Sequence, residues 1–186
     1  MSKAKTSDRF WKFAKQEKNL CRYNGIQKEI KKAFEAKTGL TSTIITKALS
    51  CTPHFIGCFA ENEVERLTFG SLPCFLIVNL DSSNMKGSHW IAIGLFSDQI
   101  EIFDSLGFDL FNWPRIPIRL LRFLRKLAIV KPVYVSKRLQ SNKSTLCGLY
   151  AIFYVRYRQK FSFPYLQHLF TLNFPTNDKI LIKLFK

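Results

Sequence analysis

Apolar and polar positions divide the chain into stretches of helical and of strand-like period. Phe10, Trp11, Phe13 and Ala14 fit one helical face. Ile26, Ile30 and Phe34 recur at i, i+4 and i+8 on a second, which Gly39 is placed to close as a C′ residue. Ser42–Leu49 reads as a short helix, after which Thr52, Pro53 and Gly57 break the pattern. Strands are expected over 73–80, 89–96 and 99–104, the first two apolar on both faces as interior strands are. Residues 79–88, with Asp, Ser, Asn and Gly, form the loop between them. The spacing predicts an amphipathic helix over 115–127, with Ile116, Leu120, Phe123 and Leu127 opposite Arg115, Arg119, Arg122 and Lys126. A short strand over 132–135 follows. Then comes a mostly apolar helix over 147–159, with Ser144 or Thr145 as its N-cap and Arg156, Arg158 and Lys160 at its C-terminal end. Two short helices, over 164–170 and 177–185, finish the chain.

A length of 186 residues suits one domain with at most a small appendage. A hydrophobic fraction of 47%, with 18 Phe, supports a core and excludes a wholly disordered chain. Charge is the outlier: 29 Lys and Arg against 13 Asp and Glu give +16 at pH 7. That excess favours polyanions, nucleic acid first and an anionic membrane surface second. Residues 1–40 read as a basic helical extension and 41–186 as the main domain. No apolar stretch follows the charged N-terminus as a secretory signal requires, and no run approaches the ~18 residues of a membrane span. An intracellular setting is therefore expected. The five cysteines, Cys21, Cys51, Cys58, Cys74 and Cys147, are an odd number, which argues against a disulfide framework and leaves at least one free thiol.

Cys147 falls just inside a predicted helix start, where unpaired N–H groups and the positive end of the dipole favour a thiolate, and Gly148 keeps its approach open. Its partners follow from register. If Ser97 and Asp98 make a two-residue turn, Phe96 pairs with Gln99 and Asp104 lies opposite Ile91, on the face that His89 shares. A carboxylate there can accept from the imidazole and fix its tautomer. A three-residue turn would put the two on opposite faces. Gln140, seven residues before the cysteine, supplies an amide donor for an oxyanion beside the Cys147 N–H.

These residues stand in Gly87-Ser88-His89-Trp90, in Phe103-Asp104-Ser105-Leu106-Gly107, at Gln140, and in Cys147-Gly148-Leu149-Tyr150. The order and surroundings resemble the adenovirus endopeptidase family and its wider relatives, the SUMO and ubiquitin-like protein proteases. Residues 51–57 resemble the segment after the first helix of the adenoviral enzyme. The resemblance implies a papain-like α+β fold, a central mixed sheet flanked by helices, with His89, Asp104, Gln140 and Cys147 as catalytic residues. It implies a thiol endopeptidase that cuts viral or virus-like precursor proteins after small residues, in the host nucleus or the virion. Asp104 stands where the adenoviral enzyme has Glu. No cysteine lies between Asp104 and Gln140, so activation by a disulfide-linked peptide does not carry over.

DNA remains a candidate activator, bound without sequence preference through Arg115, Arg119, Arg122 and Lys126. No other cofactor is expected. Two alternatives stand beside this reading: a SUMO or ubiquitin-like protein protease or acyltransferase, and a non-catalytic basic DNA-binding protein on the same scaffold. Cys51, His54, Cys58 and Cys74 are zinc-compatible types, but they lack a second pair of matched spacing, and no metal site is assigned.

Overall fold

The computed structural model describes residues 9–14, 16 and 24–185. The readings of the first eight residues and of Cys21 lie outside the described residues. Residues 9–14 are helical (α1). They are followed by α2 (Asn24–Glu35), α3 (Ser42–Leu49), β1 (Phe55–Ala60), a 3-10 turn (Val64–Arg66), β2 (Cys74–Asn79), β3 (Trp90–Leu95) and β4 (Ile100–Phe103). Then come α4 (Ile118–Ala128), β5 (Val133–Val135), α5 (Cys147–Arg158), α6 (Phe163–His168) and α7 (Phe174–Phe185).

The strands form one mixed sheet in the order β1-β2-β3-β4-β5. β2, β3 and β4 are antiparallel neighbours, and the outer strands β1 and β5 run parallel to theirs. Strand alternation sends two sets of side chains to two cores. Phe75, Ile77, Ala92 and Phe103 meet α5 and the helices around it, whereas Leu76, Val78, Ile91, Ile93, Ile100 and Ile102 meet Leu120, Phe123 and Leu124 of α4. Burial on both faces explains why β2 and β3 are apolar throughout. Helix α5 is buried from Cys147 to Tyr157, so its apolar character runs all the way round. The result is an α+β fold with a five-stranded mixed sheet between helical layers.

The α2, α3 and α4 readings meet the structure differently. α3 spans the expected residues, capped by Thr41, whose Oγ1 accepts from Ile44 N. α2 does not close on Gly39. Its left-handed residue is Lys37 (φ 52°), with Thr38 N donating to Ala33 O at 2.9 Å and Lys37 N to Phe34 O at 3.1 Å, the pairing of a Schellman motif. α4 begins at Ile118, not at 115, because Pro117 biases Ile116 toward extended backbone and makes a better helix entry than an interior residue. α7 starts three residues earlier than expected, with Pro175 in its first turn.

β1 was not anticipated. It pairs in parallel with a distant strand and contains a bulge between Phe55 and Gly57, where Gly57 takes φ 140°. Of residues 1–40, read as an extension, 9–14, 16 and 24–35 are helical. Phe10, Ala14, Ile30 and Ala33 join the same core as α5, and the Phe10 ring lies 5.0 Å from that of Tyr157.

Candidate active site

The hairpin that carries two of the expected residues has a two-residue turn. Phe96 N donates to Gln99 O at 2.9 Å, and Ala92 pairs with Phe103 in the register expected from it. His89 and Asp104 extend that register just beyond the strand ends. His89 Nε2 donates to Asp104 Oδ1 at 2.6 Å, with both side chains buried (7% and 0% exposed).

The carboxylate is held from the backbone. Leu106 N donates to Oδ1 and Phe108 N to Oδ2, each at 2.9 Å. Ser136 Oγ, which follows β5, accepts from Asp104 N and donates to Asp104 O. The turn that bends back to supply these amides passes through Gly107 at φ 67°. A Cβ there would lie 2.5 Å from Arg138 N, so only glycine lets the two segments approach.

Cys147 is the first residue of α5, and its thiol lies near enough to the His89 ring to shift that ring's pKa. Since Nε2 faces Asp104, Nδ1 is the ring nitrogen left for the thiol. Burial pushes the His89 pKa down, but hydrogen bonds to Asp104 and Cys147, and the charges of both, outweigh it and raise the pKa to about 9. The ring is thereby held as an imidazolium at neutral pH, the state that favours a thiolate beside it. Cys58 is a second, half-buried thiol. Burial outweighs a hydrogen bond from Thr46 and pushes its thiol up to about 11. Burial also raises Cys74, against the nearby charge of Lys131.

Neither Ser144 nor Thr145 caps α5. The N-cap is Leu146, which has no side-chain oxygen; Ser144 Oγ accepts from Leu146 N at 3.3 Å instead. Among the described residues the Cys147 N–H has no acceptor, and Cys147 lines a cleft. Gln140 is buried (1% exposed). Its Oε1 accepts from Ser105 Oγ at 2.6 Å and its Nε2 donates to Ser144 O at 2.7 Å. One Nε2 hydrogen is thus spoken for and the second is not.

The thiol opens onto a cleft of about 780 Å³. Residues 38–42 line one part of it, Phe59, Ala60 and Glu63 another, and the loop of residues 79–88 a third, with Trp90 beside Cys147. Trp90 is both packed and lining. Its Nε1 donates to Leu40 O at 2.9 Å, tying two lining segments together. Gly148 does not serve access. A Cβ on it would meet Leu40, Ile45 and Trp90 at 3.1–3.3 Å, so its smallness lets α3 and Trp90 close on the helix tip.

The expected basic residues lie elsewhere. Arg119, Arg122 and Lys126 are exposed on α4, and Arg115 is exposed in the turn before it, off the helix. Among the described residues no three His, Cys, Asp or Glu side chains come together to hold a metal; Cys51, His54, Cys58 and Cys74 form no such group. No described helix is long and apolar enough to cross a membrane.

Inspection of the sequence missed Ser105, Ser136 and Leu40, which hold Gln140, Asp104 and Trp90. Ser105 was visible in the Asp104-Ser105 pair. Ser136 depended on a parallel pairing, and Leu40 on a contact fifty residues away in sequence, for neither of which the local pattern gives a signal.

The sequence model of the adenovirus endoprotease family matches residues 55–178, two thirds of the chain. No curated protein matches the sequence. Among solved structures the ASFV pS273R protease is similar at a TM-score of 0.51 and 19% identity, over 80% of this chain and 67% of that one. The SUMO protease Ulp1 is similar at a TM-score of 0.44 and 15% identity, over 83% of each chain.

Proposed function

The chain belongs to the adenovirus endoprotease family and is a cysteine-type peptidase, and from that premise we propose that Cys147, His89, Asp104 and Gln140 perform its chemistry on precursor proteins cut after small residues. In this reading the Cys147 thiolate attacks the scissile carbonyl. The oxyanion takes hydrogen bonds from the Cys147 N–H and the free Gln140 Nε2 hydrogen. The His89 imidazolium gives its Nδ1 proton to the leaving amine, which leaves an acyl-enzyme and a neutral ring. That ring then takes a proton from water as the water attacks the thioester, and the thiolate leaves. Asp104 keeps Nε2 protonated and steadies the positive ring in both steps.

The observation that carries this reading is the buried 2.6 Å hydrogen bond from His89 to Asp104, with the Cys147 thiol near enough to raise the same ring's pKa, at an uncapped helix tip. The preference for small residues rests on burial. Cys147 is only 7% exposed beside Trp90, so a peptide must bring its backbone close, and bulky groups flanking the bond would meet the indole.

The substrates are structural precursors of a DNA virus or a virus-like element, processed in the host nucleus or the virion. DNA acts as a stimulating polyanion, supported by the +16 charge and by the exposed cations at 115, 119, 122 and 126. The test is labelling by a peptide-based thiol probe, with and without DNA, beside cleavage of a Gly-Gly peptide. Labelling confined to Cys147, with cleavage lost in Cys147→Ala and hydrolysed product by mass, is expected. Undiminished cleavage by Cys147→Ala would end the reading, and an acylated amine product would mark a transferase.

A further inference from the structure

Asp104 is followed by a serine that the chemistry described so far leaves without a task. Ser105 is buried (1% exposed), and its three polar bonds all go to the Gln140 segment. Its carbonyl accepts from Leu139 N and Gln140 N, each at 2.8 Å, and its hydroxyl donates to Gln140 Oε1 at 2.6 Å. The same segment is fixed from behind, where Leu139 O accepts from Asn177 Nδ2 at 2.9 Å and from Tyr150 Oη at 3.2 Å.

A carboxamide has one acceptor end and one donor end, and only the donor end serves an oxyanion. Here the two ends are told apart by their neighbours. Ser144 O requires a donor opposite it, and the Ser105 hydroxyl satisfies the acceptor end. Resting on the proposed function, we propose that Ser105 is a positioning residue for the oxyanion donor. Its hydroxyl fixes the plane of the Gln140 amide so that the unclaimed Nε2 hydrogen stays aimed at the reacting carbonyl. Since Ser105 adjoins Asp104, one turn sets both the group behind the imidazole and the amide ahead of the thiol. Without the hydroxyl, Gln140 Oε1 is left buried without a donor, and the amide rotates to relieve it.

The experiment uses the full chain and a double-mutant cycle: Ser105→Ala, Gln140→Ala and both together, with Ser105→Thr as the variant that keeps a hydroxyl. kcat and KM on a Gly-Gly peptide are measured beside the rate at which iodoacetamide alkylates Cys147, a reaction that needs the thiolate but forms no oxyanion. Ser105→Ala is expected to lower kcat about tenfold, less than the roughly hundredfold or more that outright loss of an oxyanion donor costs, with KM and alkylation unchanged. In the Gln140→Ala background it should cost nothing further, and Ser105→Thr should recover most of kcat. An equal loss in both backgrounds, or alkylation slowed as much as turnover, would overturn the proposal. If wild type alkylates at Cys147 but cleaves no peptide, the proposed function fails. The same cycle is then read from affinity for a peptide aldehyde, whose thiol adduct carries the oxygen in question. Weakening by Ser105→Ala only when Gln140 is present supports the positioning role, and weakening regardless of it refutes the role.

Discussion

Replacing Asp104 by Asn removes one negative charge from a fully buried position at nearly constant volume. In the native site burial pushes His89 down, while hydrogen bonds to Asp104 and Cys147 and their charges raise its pKa to about 9. Relative to 6.5, that difference is worth about 3 kcal/mol in favour of the protonated ring. The amide cannot replace the carboxylate even as a hydrogen-bond partner. Oδ1 accepts from His89 Nε2 and Leu106 N, and Oδ2 accepts from Phe108 N, so the Nδ2 of Asn must face a donor whichever way it turns. With the charge gone burial dominates, and the ring should titrate at about 7 or below.

NMR titration of the ring Cε1–H resonances reads this directly, because the chain has only three histidines. The alkaline limb of kcat/KM, where the leaving amine loses its proton donor, should move from about 9 to the same lower value. Stability should follow with a definite sign. A group whose pKa is raised on folding contributes fully below its unfolded value and loses that contribution as pH rises through the folded one. Urea titrations should therefore show the wild type losing its margin over Asp104→Asn between about pH 6.5 and pH 9. A His89 that still titrates near 9 in the variant, or an alkaline limb that does not move, would refute the reasoning.

Three further outcomes are expected. Gly107→Ala forces a side chain into the left-handed region and against Arg138 N at 2.5 Å; a loss of about 2 kcal/mol or more in urea denaturation is expected, with kcat falling as the segment carrying Gln140 shifts. Glu101 is fully buried and pairs with Arg158 Nε at 2.7 Å while accepting from Tyr154 Oη at 2.8 Å, so Glu101→Gln should lower stability by about 2 kcal/mol as the half-buried guanidinium loses its charged partner. A thermal melt within a degree of wild type would contradict that. DNA affinity should fall steeply with salt, and the doubly reversed Arg122→Glu, Lys126→Glu chain should lose the stimulation of turnover and about half of the salt slope. An unchanged slope would place the polyanion elsewhere.

What could be read in advance was whatever depends on near neighbours. Two polar residues between 96 and 99 set the hairpin, and the hairpin set the meeting of His89 with Asp104. α3 was legible because Thr41 caps it and its apolar positions recur on one face. The failures share a cause as well. β1 owes its existence to a parallel partner twenty residues on, and its Gly57 reads as a breaker although it sits at a bulge. Lys37 occupies a left-handed position that sequence preference reserves for glycine, because the two Schellman bonds hold it there. The α5 N-cap was assigned by residue preference to Ser144 or Thr145, yet the tip carries Leu146. A capping oxygen would occupy N–H groups that an incoming substrate oxygen needs. The basic stripe on α4 was legible as a surface, since Arg119, Arg122 and Lys126 are exposed while Leu120, Phe123 and Leu124 of the same helix are buried.

The span that identifies the family begins at Phe55, yet the molecule closes around residues upstream of it. Phe10, Ile30, Leu40 and Ile45 are buried with α5, and Leu40 holds the indole of Trp90. Leu181, Leu184 and Phe185 do the same from beyond residue 178. A fragment trimmed to 55–178 would keep all four proposed catalytic residues and strip both flanks from the helix that carries Cys147. Such a piece should aggregate when expressed, and its silence in an assay would say nothing about the chemistry of the intact chain.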